Sequence, residues 1–482
     1  MKITLVLFVF SNYLMLSSAQ MEKNINSLDI KKPYSGYSIF STIPKTEENL
    51  RLLWELDGIA SDRCMEFLIK PGAPNKSVQV LAHPELSRTL ENLFQERNMT
   101  FKVNAVSLMV EKERQEISNR RKEFEARCNE SESGCLFDFF NYNEFERIEK
   151  YLLELSDNKE MFKSTKNIDV DVIKVGSSYE NRTIKMVSIS LERNETKRKK
   201  NAIMLECCEH AREWVTPAFC LYVINNLING RSDVLQDYDF YIIPVVNPDG
   251  YAHSWTNTRL ARFWRKNRHP NYDGDKAEYV RSLSDQVCTG KQSGWNKLLL
   301  NSFYRLKSSS AVTTLRPMFS NKRHENKSTK YPLKDELDRN LQKCIGTDIN
   351  RNYDIFWGNK RGASAWGCAS SYHGTKPFSE PETRAVRDAV FMIQKNKSIV
   401  SFVSVHAFFQ LWAYPYSMAD YISPYLDDLN KVAKAAVTAL SAVNGSIFKI
   451  GTVPETIIRP RNKTKYEAAG GSKDWAHVKV LI

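Results

Sequence analysis

The pattern of hydrophobic and polar positions predicts a small mixed domain near the N-terminus. Apolar residues recur at helical spacing in residues 49–56 and 84–94. Short apolar runs that are typical of strands fill the intervals, at 37–43, 64–69, 78–81 and 101–110. The resulting order, β-α-β-β-α-β, is that of a ferredoxin-like α+β unit.

A larger domain follows, in which apolar strands alternate with long helices. Amphipathic helices are predicted at 143–155 and from Ser423 and Pro424 to about residue 440. The predicted buried strands are at 170–175, 184–191, 202–205, 238–246 and 400–405. This alternation predicts an α/β fold with a mixed, mainly parallel sheet that carries helices on both faces.

The chain length and the N-terminal residues predict more than one folding unit and secretion. The chain has 482 residues, of which 42% are hydrophobic, so more than one folding unit is expected. Residues 1–19 have the features of a secretory signal peptide: Lys2, an apolar run, and small residues ending at Ala19. We therefore expect a secreted, extracellular monomer without a membrane span. In that compartment Asn75, Asn98 and Asn181 are candidate glycosylation sites.

The charge of the chain raises one alternative. The formal net charge is +13, which suits a nucleic-acid or heparin binder. Such a function requires a clustered basic face or a binding motif, and the sequence shows neither. We expect no nucleic-acid partner and keep this alternative as the weakest.

The strand predicted at 202–205 leads into the segment that carries the candidate chemistry. His210 and Glu213 lie three residues apart in this segment, near a strand-to-helix turn. At this spacing both side chains can point to one side and share a metal ion. A His and a Glu three residues apart also occur often by chance, so the spacing alone leaves a surface pair open.

The longer string from His210 to Trp214, His-Ala-Arg-Glu-Trp, resembles the zinc motif of the pancreatic A/B-type metallocarboxypeptidases. The resemblance implies one Zn²⁺, with His406 at the end of the strand 400–405 as the third ligand. Three protein ligands leave a fourth position for water, as in catalytic zinc sites. Two residues depart from the family, because Cys208 and Glu209 stand where it usually has Gly and an aliphatic residue.

Other motifs of the same family imply a substrate site for peptide C-termini. Arg265 would stabilise the oxyanion, while Arg212 and Arg262 would line the substrate path. Asn350 and Arg351, within Asp-Ile-Asn-Arg-Asn, would bind the terminal carboxylate, which suits the planar fork of arginine.

The resemblance extends to a lid, a pocket and a disulfide. Tyr466 would close over the substrate. Lys473 would lie at the base of the pocket for the last side chain, and there it would favour peptides that end in Glu or Asp. Cys344 and Cys368 occupy the places of a family disulfide.

The resemblance also implies a zymogen. Residues 20–110 correspond to an inhibitory prodomain, residues 111–134 to an activation linker, and residues 135–482 to the catalytic domain. The linker is highly charged and helical in pattern, and its residues 120–127 are rich in basic side chains. An exposed basic linker is a substrate for an activating trypsin-like protease.

The chain departs from the family in three further segments. Residues 269–343 form an insert with little apolar periodicity, and 458–465 form a shorter one. After Trp475 no residue matches the strand that carries the general-base Glu in the family. We therefore expect impaired catalysis, with a non-catalytic zinc- and peptide-binding homologue as the alternative. Two explanations remain open, an inactive homologue and a gene product with translated non-coding sequence, and we favour the second.

Overall fold

A computed structural model describes the chain over eleven ranges: 3–8, 34–59, 65–72, 74–129, 137–191, 200–230, 232–258, 260–271, 345–367, 369–457 and 465–481. These residues form two compact units. The first contains Asn104–His269 and Ile345–Ile482 together with N-terminal residues, and the second contains Ser38–Val103. The inserts predicted at 269–343 and 458–465 fall almost entirely outside the described residues.

The strands belong to two sheets. The larger sheet has eight strands: β1 (Ile3–Phe8), β6 (Ile168–Ser177), β7 (Thr183–Leu191), β8 (Asn201–Cys207), β9 (Tyr238–Ile243), β10 (Ile399–His406), β11 (Leu411–Ala413) and β12 (Lys449–Gly451). The smaller sheet has four: β2 (Ser38–Thr42), β3 (Met65–Ile69), β4 (Val78–Ala82) and β5 (Phe101–Ala105).

The helices of the described residues follow the chain in this order: α1 (Glu47–Ile59), α2 (Pro84–Glu96), α3 (Val106–Asn129), α4 (Phe145–Asp157), α5 (Lys159–Lys166), α6 (Val215–Asn229), α7 (Pro248–Ser254), α8 (Pro381–Gln394), α9 (Leu426–Asn444), α10 (Val453–Thr456) and α11 (Ser472–Ala476). Short 3-10 turns occur at Ser232–Gln236, Ala261–Phe263 and Ile349–Arg351, and a π-helical turn at His477–Leu481. None of these helices combines the length and the apolar character that a bilayer span requires.

The second unit confirms the predicted β-α-β-β-α-β order. Its antiparallel sheet has the order β3-β4-β2-β5, and α1 and α2 supply apolar residues to its core. Phe40, Leu53, Val80, Leu90 and Phe94 are fully or almost fully buried there. Alternating apolar residues on the strands and helically spaced ones on α1 and α2 therefore build one shared interior.

One predicted boundary in this region is wrong. We predicted a strand at 101–110, but β5 ends at Ala105 and α3 begins at Val106. Val106, Val110 and Ile117 are buried on α3 at helical spacing. The apolar residues of 106–110 suit either structure, and the tertiary contacts of the helix decide between them.

The larger sheet confirms the predicted mixed, mainly parallel architecture. Its order is β12-β11-β1-β10-β8-β9-β7-β6. The central strands β1, β10, β8 and β9 pair in parallel, whereas β6 and β7 pair antiparallel at one end. Parallel neighbours end at the same edge of a sheet, so the loops that follow β8 and β10 lie side by side.

Helices cover both faces of this sheet, as predicted. One face packs against α4, α6 and α9, through residues such as Ile148, Ile224 and Leu429. The other packs against α8 and α11, through Val390 and Trp475. Burial on both faces accounts for the near-continuous apolar character of β8 and β10.

The predicted signal peptide overlaps with the strand β1. In the structure, Ile3–Phe8 pairs in parallel with β10 and antiparallel with β11. Cleavage after Ala19 would remove this strand and leave the facing edges of β10 and β11 unpaired. The signal-peptide assignment stays a prediction, and the N-terminus of the mature protein decides between the two.

Candidate metal centre and substrate site

The candidate metal ligands lie where two neighbouring parallel strands end. β8 ends at Cys207, immediately before the loop with His210 and Glu213, and β10 ends at His406. Val405 is the register partner of Cys207, so both strands deliver their side chains at the same level. The sheet therefore brings together residues that are almost 200 positions apart in the chain.

Three side chains converge at this edge. Nδ1 of His210 lies 2.8 Å from Oε1 of Glu213 and 3.1 Å from Nδ1 of His406. Nδ1 of His406 lies 3.2 Å from Oε2 of Glu213. Among the described residues, these form the one set of three such groups whose ligand atoms gather within 4.8 Å, and all three are buried.

This donor set fits zinc. Zinc in proteins is usually tetrahedral, with bonds of about 2.0–2.2 Å to nitrogen and oxygen, which places neighbouring ligand atoms about 3.3 Å apart. The separations of 2.8, 3.1 and 3.2 Å lie close to that value. Two imidazoles and one carboxylate are also the ligand types of a zinc site that leaves a position for water.

The local conformation explains how the loop reaches the site. Cys208 has φ 61°, a left-handed conformation, and its amide donates to Oγ1 of Thr216. A glycine, which the family usually has here, adopts this conformation without the steric cost of a side chain. Cys207 is also tied to Cys220 of α6 by a disulfide. The strand end and the helix are thus held together on both sides of His210.

A charged network supports His210 from outside. Nε2 of His210 lies 3.1 Å from Oδ1 of Asp348, while Oδ2 of Asp348 accepts hydrogen bonds from Nε and Nη2 of Arg265. Burial alone raises the pKa of Asp348, but Arg265, Arg351 and His210 outweigh burial and hold this pKa well below its usual value. Asp348 is therefore an anion that can orient the ring of His210.

Charge interactions among the three ligand side chains also outweigh the effect of burial. Burial lowers the pKa of His406, but attraction by Glu213 and contact with Glu209 outweigh burial and raise this pKa to about 9. Burial raises the pKa of Glu213, but His210 and His406 outweigh it and lower this pKa below its usual value. The charge of Glu213 and the raised pKa of His406 thus support each other in this pocket.

Arg262, a predicted substrate-path residue, is engaged by the helix α3. Its Nε and Nη2 donate to the carboxylate of Glu113 at 2.6 and 2.9 Å, and its guanidinium lies over the ring of Trp214. Its amide donates to the hydroxyl of Tyr34. Arg212 lies beside it and donates from Nη1 to the carbonyl of Phe263. Sequence reasoning missed Glu113, because nothing in a charged helical segment marks one acid among many.

The predicted carboxylate clamp, Asn350 and Arg351, begins next to His406. Nδ2 of Asn350 is 3.0 Å from Nε2 of His406. Arg351 is buried and donates to the carbonyls of Asn350 and Gly362 and, from Nη2, to the hydroxyl of Tyr466. The structure thus brings Arg351 and Tyr466 into contact, and the guanidinium is held mainly by backbone carbonyls.

Lys473 is buried at the start of α11, where its Nζ contacts the carboxylate of Asp474. The sequence predicts that an acidic substrate supplies the counter-charge of this ammonium, but Asp474 already supplies one. Burial lowers the pKa of Lys473, and Asp474 opposes that shift.

Gly470, in the loop before α11, has φ 76°, and a Cβ there would lie 2.3 Å from the carbonyl oxygen of Arg351. The glycines therefore allow α11 to approach the clamp.

The remaining predicted pair, Cys344 and Cys368, lies outside the described residues, so its disulfide stays a prediction. Two residues of this site were not singled out as ligand supports from the sequence, Asp348 and Glu209. Asp348 stands at the start of the Asp-Ile-Asn-Arg-Asn motif, and Glu209 is one of the two departures next to His210. Both signals were visible, but only the folded chain shows which atoms they face.

Comparisons with known proteins agree with this geometry. A family model described as zinc carboxypeptidase matches residues 160–293 and 306–481, more than half of the chain. Human carboxypeptidase B is 27% identical over 92% of this chain and 83% of its own length. Mouse carboxypeptidase A2 is 26% identical over 93% of this chain and 84% of its own length.

A solved structure shows the same fold. The crystal structure of carboxypeptidase A from Helicoverpa armigera covers 92% of this chain and 86% of its own, with 21% identity and a TM-score of 0.63. The family model assigns zinc as the cofactor, and the cluster of His210, Glu213 and His406 provides a place for it. The chain belongs to the zinc carboxypeptidase family, a family of metal-dependent enzymes that hydrolyse peptides at the C-terminus.

Proposed function

We propose that this chain binds one zinc ion through His210, Glu213 and His406 and acts on the C-terminal peptide bond of peptides. The observation that carries this proposal is the convergence of the three buried ligand atoms within 4.8 Å. Bound zinc in such a site supplies a Lewis acid and lowers the pKa of a coordinated water.

The roles of the neighbouring residues follow from their positions. Arg265 lies beside the cluster, with Nη1 3.9 Å from Oε1 of Glu213, and Asp348 fixes its guanidinium. A fixed cation at this place can stabilise a developing oxyanion without reorganisation. Asn350 and Arg351 bind the terminal carboxylate of the substrate. Tyr466, whose hydroxyl contacts Arg351, closes over the bound substrate. Arg212 and Arg262 line the approach.

We further propose that catalysis is weak. Besides Glu213, the carboxylates that contact the cluster among the described residues are Glu209 and Asp348, and each faces the outer nitrogen of a ligand histidine. β1, the neighbour of β10, contains no acidic residue. A proton acceptor for the attacking water is therefore missing from the described site, and general acid–base help contributes about 10²–10⁴-fold to rates.

A hydrolysis assay tests both statements. The protein is treated with trypsin, loaded with zinc and incubated with peptides that end in Glu, Phe or Arg, and the released amino acid is quantified. The same peptides with C-terminal amides are the control, since they lack the carboxylate that Arg351 binds. Slow release that requires a free carboxylate supports the proposal. Rates comparable to those of human carboxypeptidase B would show that another group accepts the proton.

The alternative function, a non-catalytic binder of zinc and peptide C-termini, makes a different prediction. It retains peptide binding that depends on the free carboxylate but shows no release above that of the His210→Ala variant. Binding is measured by calorimetry with the same peptides and their amides. Release that disappears with His210→Ala would exclude this alternative.

A zymogen is the domain arrangement that we propose, with residues 20–110 as prodomain and 111–134 as linker. The salt bridge of Glu113 with Arg262 supports it, because the helix α3 then covers a residue of the substrate path. In the region 120–127, Lys122 and Arg127 are exposed, whereas Arg121 pairs with Glu144. Mass spectrometry of a limited tryptic digest should find early cuts in 120–127. First cuts within residues 34–110 would place the boundary elsewhere.

The substrate's last side chain is the subject of a separate proposal, a preference for acidic residues directed by Lys473. The contact with Asp474 counts against a strong preference, because the ammonium already has a partner. Lys473→Ile should shift preference from peptides that end in Glu toward those that end in Phe. If the ratio of kcat/KM for peptides ending in Glu to kcat/KM for peptides ending in Phe is the same in wild type and Lys473→Ile, Lys473 does not contact the substrate's last side chain.

Secretion is proposed from residues 1–19, and the exposure of Asn75, Asn98 and Asn181 is compatible with glycans. N-terminal sequencing of protein from culture medium is the test. A start near residue 20 supports secretion with cleavage, whereas an intact N-terminus in the cell fraction supports β1 as a permanent strand.

A further inference from the structure

Glu209 is a buried acid directly before a metal ligand, and its side chain does not support that ligand. It is 1% exposed. Its carboxylate faces the other ligand histidine, with Oε2 3.3 Å from Nε2 of His406. Its Oε1 accepts a hydrogen bond of 2.9 Å from the hydroxyl of Tyr353. Among the described residues Oε2 forms no hydrogen bond, so its 3.3 Å approach to Nε2 of His406 is an ion-pair contact that can shorten into one.

The ring of His406 has one nitrogen for the metal and one for the protein. Nδ1 faces the cluster, 3.1 Å from Nδ1 of His210. A ring that binds a metal through Nδ1 carries its proton on Nε2, so Nε2 needs an acceptor. The orientation of the ring therefore depends on which neighbour of Nε2 can accept a hydrogen bond.

Among the described residues, polar groups that lie near Nε2 of His406 are Nδ2 of Asn350 at 3.0 Å, Oγ of Ser404 at 3.1 Å and Oε2 of Glu209 at 3.3 Å. Asn350 presents its amide nitrogen, because its Oδ1 accepts from the amide of Ser472. An amide nitrogen is a donor and cannot accept this proton. The acceptors are then a hydroxyl and a carboxylate, of which the carboxylate forms the stronger bond with an N–H group.

We propose that Glu209 is a positioning residue for zinc, holding His406 with Nδ1 toward the metal through a hydrogen bond from Nε2. This inference rests on the ligand set of the proposed function. Asp348 has the same relation to His210, at 3.1 Å from its Nε2. Each ligand histidine is thus backed by a carboxylate, and the one behind His406 comes from a position where the family usually has an aliphatic residue.

Zinc affinity measured by chelator competition tests the proposal on the full chain. Outer-sphere carboxylates typically contribute about 10–100-fold to metal affinity. Glu209→Ile, which removes the acceptor, should weaken zinc binding by a factor in this range. Glu209→Gln, which keeps the size and an acceptor oxygen but loses the charge, should have an intermediate effect. Tyr353→Phe, which removes only the partner of Oε1, should have a smaller effect.

The cobalt-substituted protein supplies a second readout. The visible absorption of Co²⁺ depends on ligand geometry, so Glu209→Gln should shift its bands if His406 reorients. Glu382→Gln is the matched control, because Glu382 is equally buried but hydrogen-bonded to Asn267 rather than to a ligand. It should leave both the zinc affinity and the cobalt spectrum unchanged.

The outcomes separate this inference from the ligand assignment. If Glu209→Ile does not fold, the isosteric Glu209→Gln variant decides. A folded Glu209→Gln protein with wild-type zinc affinity and an unchanged cobalt spectrum overturns the positioning role. If His210→Ala also retains zinc, the ligand set itself is wrong. Loss of zinc in His210→Ala together with no effect at Glu209 refutes only the inference drawn here.

Discussion

Two clusters of the first unit combine histidine with buried carboxylate side chains, and they differ in what these groups face. In the metal cluster, His210, Glu213 and His406 turn their ligand atoms toward one point. In the second, hereafter the Asn267 cluster, Nδ2 of Asn267 donates to both Glu380 and Glu382, at 2.7 and 2.9 Å. Nδ1 of His269 lies 2.9 Å from the same oxygen of Glu380.

The difference shows what distinguishes a metal site from a structural polar network. In the Asn267 cluster, both oxygens of Glu380 accept a hydrogen bond: Oε2 accepts from Asn267 and Oε1 accepts from the hydroxyl of Ser379. Apart from Oε1 of Glu382, which has no hydrogen-bond partner among the described residues, the network finds its donors within the protein. It fastens the start of α8 to the loop after Arg265. In the metal cluster, two rings and a carboxylate turn their ligand atoms toward one point, where a metal ion can replace the proton that Glu213 otherwise stabilises on His406.

Removal of a metal ligand should have the largest effect. His210→Ala leaves two ligands, which cannot hold zinc tightly, so affinity should fall by more than about 100-fold. Zinc is quantified by mass spectrometry after dialysis against a weak chelator, with about one zinc per wild-type chain expected. Glu382→Gln, from the Asn267 cluster, should retain its zinc. Equal zinc content in wild type and His210→Ala would mean that the metal cluster does not bind zinc and does not differ from the Asn267 cluster in this respect.

Removal of the charge behind a ligand should have an intermediate effect. Asp348→Asn keeps an oxygen near Nε2 of His210 but loses the charge and the salt bridge with Arg265. Zinc affinity should fall about 10–100-fold. The measurement is the same chelator competition, with circular dichroism to show that the variant folds. Wild-type affinity in a folded Asp348→Asn protein would contradict the role given to the network behind His210.

The smallest effect on zinc binding is expected from the Asn267 cluster, where a substitution should change stability instead, in a way that depends on pH. Burial raises the pKa of Glu382 to about 7, the hydrogen bond from Asn267 opposes this shift and the charge of Glu380 adds to it. The folded state therefore holds a proton that the unfolded state releases near pH 4.5. Since the folded state binds this proton more tightly, the contribution of Glu382 to stability should fall as pH rises from about 4.5 to 7.

Glu382→Gln tests this directly, because glutamine does not ionise. Its free energy of unfolding should match that of wild type near about pH 4 and exceed it above about pH 7 by up to about 3 kcal/mol. Denaturant titrations of the zinc-loaded proteins at several pH values provide the comparison. A difference that stays constant with pH, or that has the opposite sign, would show that Glu382 is ionised throughout in the folded state.

Much of the architecture could be predicted from the sequence, because it follows from periodicity. β8, β10 and α6 have nearly continuous apolar residues, which identifies them as buried elements, and the β-α-β-β-α-β order of the second unit required only local patterns. The strand β1 was not predicted as part of the sheet, since an apolar N-terminal run with small residues after it also has the pattern of a signal peptide.

The site was predictable in its motifs but not in its contacts. His210 and Glu213 are close in sequence, and the resemblance indicated His406 and Asp348 to Arg351. Glu209 contacts His406 and Tyr353, and Glu113 contacts Arg262. These contacts join residues of different elements; Glu209 and Tyr353 are 144 residues apart, and Glu113 and Arg262 are 149 apart. Which acid faces which partner depends on how the strands and α3 pack, and no local pattern contains that information.

The central claim, that the metal cluster holds the one zinc ion of this chain, is tested most directly by anomalous X-ray diffraction from zinc-loaded crystals. Data are collected on both sides of the zinc absorption edge. The account predicts a single strong difference peak per chain, between Nδ1 of His210, the carboxylate of Glu213 and Nδ1 of His406. A peak at the Asn267 cluster, or bound zinc with no peak at the metal cluster, would contradict it.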